Sequence, residues 1–447
     1  MNVARFAVAT LVASLCCARG AVAQAHIPVP GPTSSPLPTC AVVCYYVDAV
    51  NGSDNNSGLS PQTAFATLDK ASSLVVPGAT VYALSGTYSA FDSSGATLTI
   101  ATAGTANAWI AFVAYPGQHP VIRLYPHAWQ GIHVLGSAAF VVIDGFEVAG
   151  LRSSVDPAEA RRDRGRDGLY NENCIDLDGA SQNTIVNNII VRNSYVHDCT
   201  GAGIGGDQID YVTVNDNVVA YNAFYSAYGQ SGITLYHQTD IDGYTGYKTY
   251  VVANLAYGNR QDVPTLNTDP PIVTDGNGII IDSNLRAPSG PAYAGRTYVA
   301  NNIVYGNGGR GVHVFSSQHV DAVNNTAYRD MRTRAIAVGE LDAIDAYDVN
   351  VLNSIGVADK TKQVDSGYGD SSVLYDYNIY FGTTQIPVAG PHDIAGNPRF
   401  DSPETANFGL RPGSPALHSG TDALAPAVDF YGNLRPQGKV DRGAIQS

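Results

Sequence analysis

Short apolar segments with alternating side chains recur along most of the chain, separated by glycine, asparagine and aspartate. The segments are "GIGGD" from Gly203, "GITLYH" from Gly232, "GIIIDS" from Gly278, "GVHVFS" from Gly311 and "AIAVGE" from Ala335. Alternation with a period of two is typical of strands whose successive side chains point to opposite faces. The pattern therefore predicts many short strands joined by turns.

A second series of segments has a regular spacing along the chain. It comprises "NSYVHD" at Asn193, "NVVAYN" at Asn217, "NLAYGN" at Asn254, "NIVYGN" at Asn302, "NTAYRD" at Asn325 and "NSIGVA" at Asn353, at steps of 24, 37, 48, 23 and 28 residues. A basic period near 24, with one doubled step and one insertion, is typical of a solenoid. Two to three strands per period predict a parallel β-helix, all-β and monomeric, in which the asparagines stack as a hydrogen-bonded ladder.

The alternation also predicts which side chains leave the core. The inward positions are Ile175, Leu177, Ile233, Leu235, Ile279, Ile281, Val312 and Val314. The first outward column is then His133, Asp176, Gly205, Thr234, Ile280, His313 and Ala337. The second column is Leu135, Asp178, Asp207, Tyr236, Asp282, Phe315 and Gly339, followed at the turn by Gln208, His237, Ser283, Ser316 and Glu340. We expect both columns to face solvent.

The amino-terminal residues predict export. Residues 1–23 combine Arg5, the apolar run "FAVATLVASLCCA" and small residues before a cut after Ala23, which is typical of a secretory signal peptide. Residues 24–44 form a proline-rich tether. No later segment is long and apolar enough to span a bilayer. We expect a secreted or periplasmic protein with no membrane partner.

Charge excludes one class of partner. Removal of the leader, which contains Arg5 and Arg19, lowers the 25 basic residues to 23 against 39 acidic ones, a net charge of −16. Nucleic acid is therefore not an expected partner. The cluster Arg161, Arg162, Arg164 and Arg166 is locally basic, and guanidinium groups bind carboxylates in a bidentate manner. It is either a site for anionic sugars or a solvated charged loop.

Four cysteines follow the leader. Cys40, Cys44, Cys174 and Cys199 do not have the spacing of a zinc site, and an exported chain can oxidise them. Of the three possible pairings we expect Cys40 with Cys44 and Cys174 with Cys199. The alternative is free buried thiols.

Both ends of the chain resemble known proteins. Residues 45–88, "YYVDAVNGSDNNSGLSPQTAFATLDKASSLVVPGATVYALSGTY", are similar to the start of secreted right-handed parallel β-helix polysaccharide lyases, the pectate lyase-like superfamily. The ending "GSPALHSGTDALAPAVDFYGNLRPQGKVDRGAIQS" is similar to the end of many exported bacterial β-helix proteins. The resemblance implies one right-handed parallel β-helix over residues 45–447, with cap regions at 45–100 and 398–447. It also implies a short capping helix within "TLDKASSLV".

Four long insertions predict a groove. "LRSSVDPAEARRDRGRDGLYNEN" and "RQDVPTLNTDPPIVTDGN" enter the outward columns from one side, and "TDIDGYTGYK" and "NLRAPSGPAYAGR" leave on the other. Long loops on a compact scaffold usually serve a function. We expect substrate-binding residues to be Arg161, Arg162, Arg164, Arg166, Tyr236, Arg260 and His313.

The resemblance implies cleavage of an acidic polysaccharide by β-elimination. In such lyases calcium neutralises the uronate and a lysine or arginine removes the C5 proton. The implied calcium ligands here are Asp176, Asp178 and Asp207, and the catalytic candidates are His237, Lys248, Asp282 and Arg286.

Two other functions remain open. The first is glycoside hydrolysis, which needs two carboxylates about 6.5 to 9.5 Å apart for inversion. Asp207 and Asp282 lie two rungs apart in the alignment, roughly 9.6 Å between backbones. The second is a non-catalytic glycan-binding solenoid, for which the many tyrosines could supply stacking surfaces.

Overall fold

A computed structural model describes residues 40–285 and 290–447. The predicted signal peptide, most of the predicted tether and Arg286 lie outside the described residues. Cys40 is bonded to Cys44 and Cys174 to Cys199, as predicted.

Three parallel sheets run the length of the molecule, with strands numbered in chain order. Sheet 1 contains β1 (Val43–Val47), β2 (Ala79–Ala83), β5 (Ile110–Ala114), β8 (Ala139–Asp144), β11 (Val186–Arg192), β14 (Ile209–Asn215), β17 (Tyr247–Val252), β20 (Arg296–Ala300), β23 (Gln318–Val323), β26 (Tyr347–Leu352) and β28 (Ser371–Asp376). Sheet 2 contains β4 (Leu98–Ile100), β7 (Gln130–Leu135), β10 (Asn173–Asp178), β13 (Ile204–Asp207), β16 (Ile233–Tyr236), β19 (Ile279–Asp282), β22 (Val312–Phe315) and β25 (Leu341–Ile344). Sheet 3 contains β3 (Gly86–Tyr88), β6 (Pro120–Arg123), β9 (Glu147–Ala149), β12 (Tyr195–His197), β15 (Val218–Ala220), β18 (Leu255–Tyr257), β21 (Ile303–Tyr305), β24 (Thr326–Tyr328), β27 (Ile355–Val357), β29 (Ile379–Phe381) and β30 (Ile394–Ala395).

The chain passes repeatedly from sheet 2 to sheet 1 to sheet 3 and back, and each strand pairs in parallel with its equivalent in the next coil. This is the predicted right-handed parallel β-helix. The inward side chains of all three sheets meet in one continuous core, which includes all eight predicted inward positions. Each coil thus buries its apolar face against its neighbours.

Helices are few and short. They are α1 (Leu68–Ser72), α2 (Pro157–Asp163) and α3 (Gly168–Asn171), with single 3₁₀ turns at Pro61–Thr63, Arg152–Ser154, Ala180–Gln182 and Pro403–Thr405. Helix α1 is the predicted capping helix: Thr67 Oγ1 accepts a hydrogen bond from Lys70 N, and Leu68 and Ala71 enter the core. None of the described helices has the length and apolar content that a membrane span requires.

The carboxyl-terminal segment packs on the outside of the last coils. Strands β31 (Phe400–Ser402) and β32 (Asn407–Leu410) form an antiparallel hairpin. Phe408 of this hairpin contacts the outward rings of Tyr305 and Tyr328. The predicted domain limits stay predictions.

The asparagine ladder is present, with two corrections. Side-chain hydrogen bonds join the four stacked asparagines Asn217, Asn254, Asn302 and Asn325, for example from Asn217 Nδ2 to Asn254 Oδ1 at 3.1 Å. In the flanking coils the ladder positions are Ser194 and Ser354, so the predicted Asn193 and Asn353 are each one residue early. Both asparagines instead occupy the left-handed residue before the ladder, which asparagine tolerates.

The last rung of the predicted columns is also wrong. Strand β25 pairs His313 with Asp342 and Phe315 with Ile344, so these residues replace Ala337 and Gly339. Asp345 follows Ile344 at the turn in place of Glu340. The segment "AIAVGE" mimics strand alternation but lies mostly in the connection before β25, and Glu340 is fully buried.

Candidate functional site: an acidic cleft on sheet 2

A cleft of about 650 Å³ lies on the outer face of sheet 2, between β10 and β22. Its lining residues are Asn173, Asp176, Asp178, Gly205, Gly206, Asp207, Tyr228, Gly229, Gln230, Thr234, Tyr236, Thr265, Asn267, Thr268, Thr274, Asp275, Ile280, Asp282, Ser283, Arg310, His313 and Phe315. The floor is therefore made of the two predicted outward columns.

The insertions do not all wall this cleft. Residues 260–277 supply one wall, and residues 151–173 contact the lining residue Tyr228, whose Oη donates to Gly165 O at 2.7 Å. The insertions at 239–248 and 284–296 line a separate polar pocket of about 390 Å³ with Thr239, Asp240, Gly290 and Pro291. The prediction that four loops wall one groove is therefore wrong in this respect.

The first outward column is less accessible than predicted. Thr234, Ile280 and His313 point away from the core, yet they are only 5%, 2% and 3% exposed. Residues of the 260–277 insertion line the same part of the cleft as these three side chains. Accessible groups are concentrated in the second column.

Three carboxylates project from the second column. Asp178 pairs with Asp207 on the next rung, Asp207 with Tyr236, and Tyr236 with Asp282. Since successive rungs are about 4.8 Å apart, Asp178 and Asp207 are neighbours, and Asp207 and Asp282 lie two rungs apart. Tyr236 occupies the rung between the latter pair.

Asp282 is a carboxyl group with a raised pKa. Burial raises its pKa to about 7, and the charge of Asp275 adds to this effect. The hydrogen bond from Ser283 Oγ at 2.7 Å acts in the opposite direction without cancelling it. A half-buried carboxyl group with such a pKa can donate a proton to a leaving oxygen.

Asp207 has a different environment. Its side chain is 37% exposed, and its Oδ1 lies 3.3 Å from His237 Nδ1. The His237 ring contacts Tyr236 at a tilt of 36°, with ring centroids 3.5 Å apart. His237 thus lies next to Asp207 beside the cleft, while Tyr236 lines the floor.

The predicted metal ligands are only partly grouped. Asp176 and Asp178 lie with His133, and one ligand atom from each falls within 4.8 Å of the others. Asp207 instead contacts His237. Calcium takes six to eight oxygen ligands, whereas this set offers two carboxylates and an imidazole. The residues therefore do not fit calcium well.

The pair of aspartates also has its own hydrogen bonds. His133 Nε2 lies 3.1 Å from Asp178 Oδ2, and Gln130 Nε2 donates to Asp176 Oδ2 at 3.2 Å. Burial raises the pKa of Asp176 to about 6. These contacts stabilise both groups without an ion.

Lys248 does not line the cleft. Its ammonium group lies 3.0 Å from Asp210, 2.8 Å from Asp240 and 2.8 Å from Asp242, and its side chain is fully buried. The three carboxylates raise the pKa of Lys248 against the effect of burial, so the amine stays protonated. This environment suits a structural ion pair better than a general base.

The predicted arginines lie outside the cleft lining. Arg161, Arg162, Arg164 and Arg166 are exposed in and after α2; Arg162 lies 3.7 Å from Glu159. Arg260 pairs with Asp262 at 2.5 Å. Arg286 is outside the described residues. Their role in substrate binding stays a prediction, whereas His313 does line the cleft, where burial lowers its pKa and keeps it neutral.

Solved structures share this architecture. The crystal structure of pectate lyase Pel9A is 17% identical over 91% of this chain and 96% of that chain, with a TM-score of 0.50. The complex of XylC with xylose is 11% identical over 90% and 98%, with a TM-score of 0.44. The A-module of the Azotobacter vinelandii mannuronan C-5 epimerase AlgE4 is 14% identical over 78% and 100%, with a TM-score of 0.37. No family model and no curated protein sequence matches.

The chain has a pectate-lyase-like β-helix fold. At this identity the likeness establishes the fold and not the reaction, because one β-helix scaffold carries unrelated chemistries. The groups that act in this pectate-lyase-like helix must therefore be judged from its own cleft.

Three cleft residues were missed by the sequence analysis. Tyr228, Asp275 and Arg310 precede β16, β19 and β22, on the side where the chain enters sheet 2. Each lies in a turn or insertion outside the strand alternation, so no periodic signal marks it. Their position before a floor strand is the one clue that the sequence offers.

Proposed function

We propose that this protein is a polysaccharide-degrading enzyme that hydrolyses a glycosidic bond in the cleft of sheet 2. Asp282 is the proton donor to the leaving oxygen, and Asp207 is the base that activates water. The observation that carries the proposal is the position of Asp282, whose pKa burial raises, two rungs from the accessible carboxylate of Asp207.

The spacing of the pair supports inversion. Two rungs correspond to about 9.6 Å between backbones, near the 6.5 to 9.5 Å that inverting glycosidases use between carboxyl groups. The exposure of Asp207 leaves room for a water molecule beside it.

β-Elimination is less well supported by the same cleft. Arg310 is the only cationic side chain that lines the cleft among the described residues, and it could neutralise a uronate. The proton at C5 needs a base, but Lys248 is held by three carboxylates and Arg286 is not described. The predicted lyase activity and calcium therefore rank second.

The fold supports a polysaccharide as substrate, and the disulfides support an extracellular location. Pel9A, which shares this fold, is a pectate lyase, and this favours a polysaccharide as substrate here. Both disulfides are compatible with an extracellular location. We propose that the enzyme acts outside the cytoplasm, as a monomer.

Incubation with a panel of neutral and acidic polysaccharides tests this function. We expect new reducing ends on at least one polymer, no absorbance near 235 nm, and the same rate in the presence of a chelator. Absorbance near 235 nm that the chelator abolishes would instead support the calcium lyase. Binding without cleavage would support the non-catalytic solenoid.

A further inference from the structure

Arg310 is a fixed cation in an otherwise acidic cleft. The described residues that line the cleft include five aspartates, at positions 176, 178, 207, 275 and 282, and this one arginine. Its side chain is 17% exposed, so most of it is held within the wall. The cleft therefore offers a single positively charged contact to a substrate.

Two anchors hold the guanidinium group. Arg310 Nε donates to Asp342 Oδ2 at 2.8 Å, and Nη1 donates to the carbonyl oxygen of Thr274 at 3.0 Å. Asp342 is fully buried, so this contact is shielded from solvent. Within residues 40–285 and 290–447, no acceptor is hydrogen-bonded to Nη2. A donor fixed in this way needs little ordering when a ligand binds.

The position of Arg310 defines a separate subsite. Arg310 lies two residues before the start of β22, one rung beyond β19, which carries Asp282. The sugar that contacts Arg310 is therefore a neighbour of the sugar held between Asp207 and Asp282. Around the latter pair, the described lining is acidic, and like charges close together repel.

We propose that Arg310 binds the carboxylate of one acidic sugar beside the scissile bond, and that the sugar between Asp207 and Asp282 is neutral. The substrate class is then a heteropolysaccharide in which acidic sugars alternate with neutral ones. A homopolymer of uronates would place a further carboxylate among the aspartates. This inference rests on the proposed function, since it assigns the substrate of the same cleft.

Direct binding measurements separate the two proposals. The probes are hyaluronan, in which uronates alternate with neutral sugars, its carboxyl-reduced form, and polygalacturonate. They are titrated calorimetrically into the Asp282→Asn protein, which retains the cleft. We expect hyaluronan to bind at least about 10-fold more tightly than either other polymer, the effect of one hydrogen bond to a charged group.

Arg310→Gln in the same background should remove this preference and leave binding of carboxyl-reduced hyaluronan unchanged. Arg192→Gln is the matched control, because Arg192 Nε donates to Asp144 Oδ2 at 2.8 Å in a similarly buried pair on sheet 1. It should lower stability without changing the preference. If Arg310→Gln does not fold, the double variant Arg310→Gln/Asp342→Asn replaces it. This variant also removes the charge of Asp342, the buried acid that loss of Arg310 leaves unpaired.

Three outcomes would overturn the inference. Tighter binding of polygalacturonate than of hyaluronan would contradict the alternation. An unchanged preference in the Arg310 variants would contradict the role of this arginine while leaving the proposed function intact. If the wild-type enzyme cleaves none of the panel polysaccharides and the Asp282→Asn protein binds none of the probes, both proposals fail together.

Discussion

Asp282→Asn is expected to lower turnover at least about 100-fold, the lower end for loss of general acid help. Asparagine is nearly isosteric and cannot donate the proton that burial keeps on the aspartate. Folding should stay within about 1 kcal/mol of wild type at pH 5. Turnover is measured as release of reducing ends and stability as urea unfolding, on the same preparations.

The pH dependence has a defined sign. The folded pKa of Asp282 is about 7, against an ordinary value of 3.8. Wild-type turnover should therefore fall as pH rises through about 7, because the acid loses its proton. Between 3.8 and 7 the unfolded chain releases this proton before the folded one, so the contribution of Asp282 to stability decreases with rising pH. The asparagine variant should lack that decrease.

Ile281→Ala is the matched control for Asp282→Asn, because the Ile281 side chain points into the core and that of Asp282 points into the cleft. Ile281 is fully buried and precedes Asp282 on β19. Its truncation should cost about 2 to 5 kcal/mol of unfolding free energy with little effect on turnover per folded molecule. Normal turnover of Asp282→Asn would exclude Asp282 as the acid and direct attention to Asp176, whose pKa is also raised.

Lys248→Met should destabilise the protein by about 3 to 5 kcal/mol, because it leaves the buried carboxylate of Asp210 and the partly buried one of Asp240 without their cation. Asp210 also accepts a hydrogen bond from Tyr293 Oη at 2.7 Å, so the insertion that contains Tyr293 should loosen too. Urea unfolding at pH 7 measures the loss. Addition of Asp210→Asn and Asp240→Asn should restore part of it.

Lys439→Met is the control, since Lys439 is exposed and its replacement should change stability by less than about 0.5 kcal/mol. Comparison of stability and turnover then distinguishes a structural ion pair at Lys248 from a catalytic base. A Lys248→Met protein of wild-type stability that has lost turnover would indicate a catalytic base and contradict the structural ion pair.

The fold could be predicted from the sequence because a solenoid repeats its local rules in every coil. Ile279 and Ile281 alternate with Ile280 in the same way as Ile233 and Leu235 alternate with Thr234, and each is placed correctly. Prediction from alternation is wrong where the alternating pattern extends beyond the strand, as in the residues before Leu341. The predicted ladder position is wrong by one residue where serine replaces the asparagine, as at Ser194.

The cleft could be predicted only in part. The alternation along each strand predicts the outward direction of Asp178, Asp207 and Asp282, because a rigid strand determines where a side chain points. Alternation does not predict the place of Arg310, because that place depends on Asp342 in the next coil and on Thr274 in an insertion. The sequence made Lys248 one of several candidates for the base. Of the three carboxylates that hold it, Asp210 comes from β14 of the preceding coil and the other two, Asp240 and Asp242, from the insertion that leads into β17.

The anomeric configuration of the first product tests the central claim most directly. Proton NMR is recorded during the first minutes of cleavage of a polysaccharide that the enzyme degrades. We predict a newly formed reducing end with inverted configuration and no vinyl signal, since Asp207 and Asp282 lie two rungs apart with room for water. A C4–C5 unsaturated sugar would contradict hydrolysis, and a retained configuration would contradict the pairing of Asp207 with Asp282.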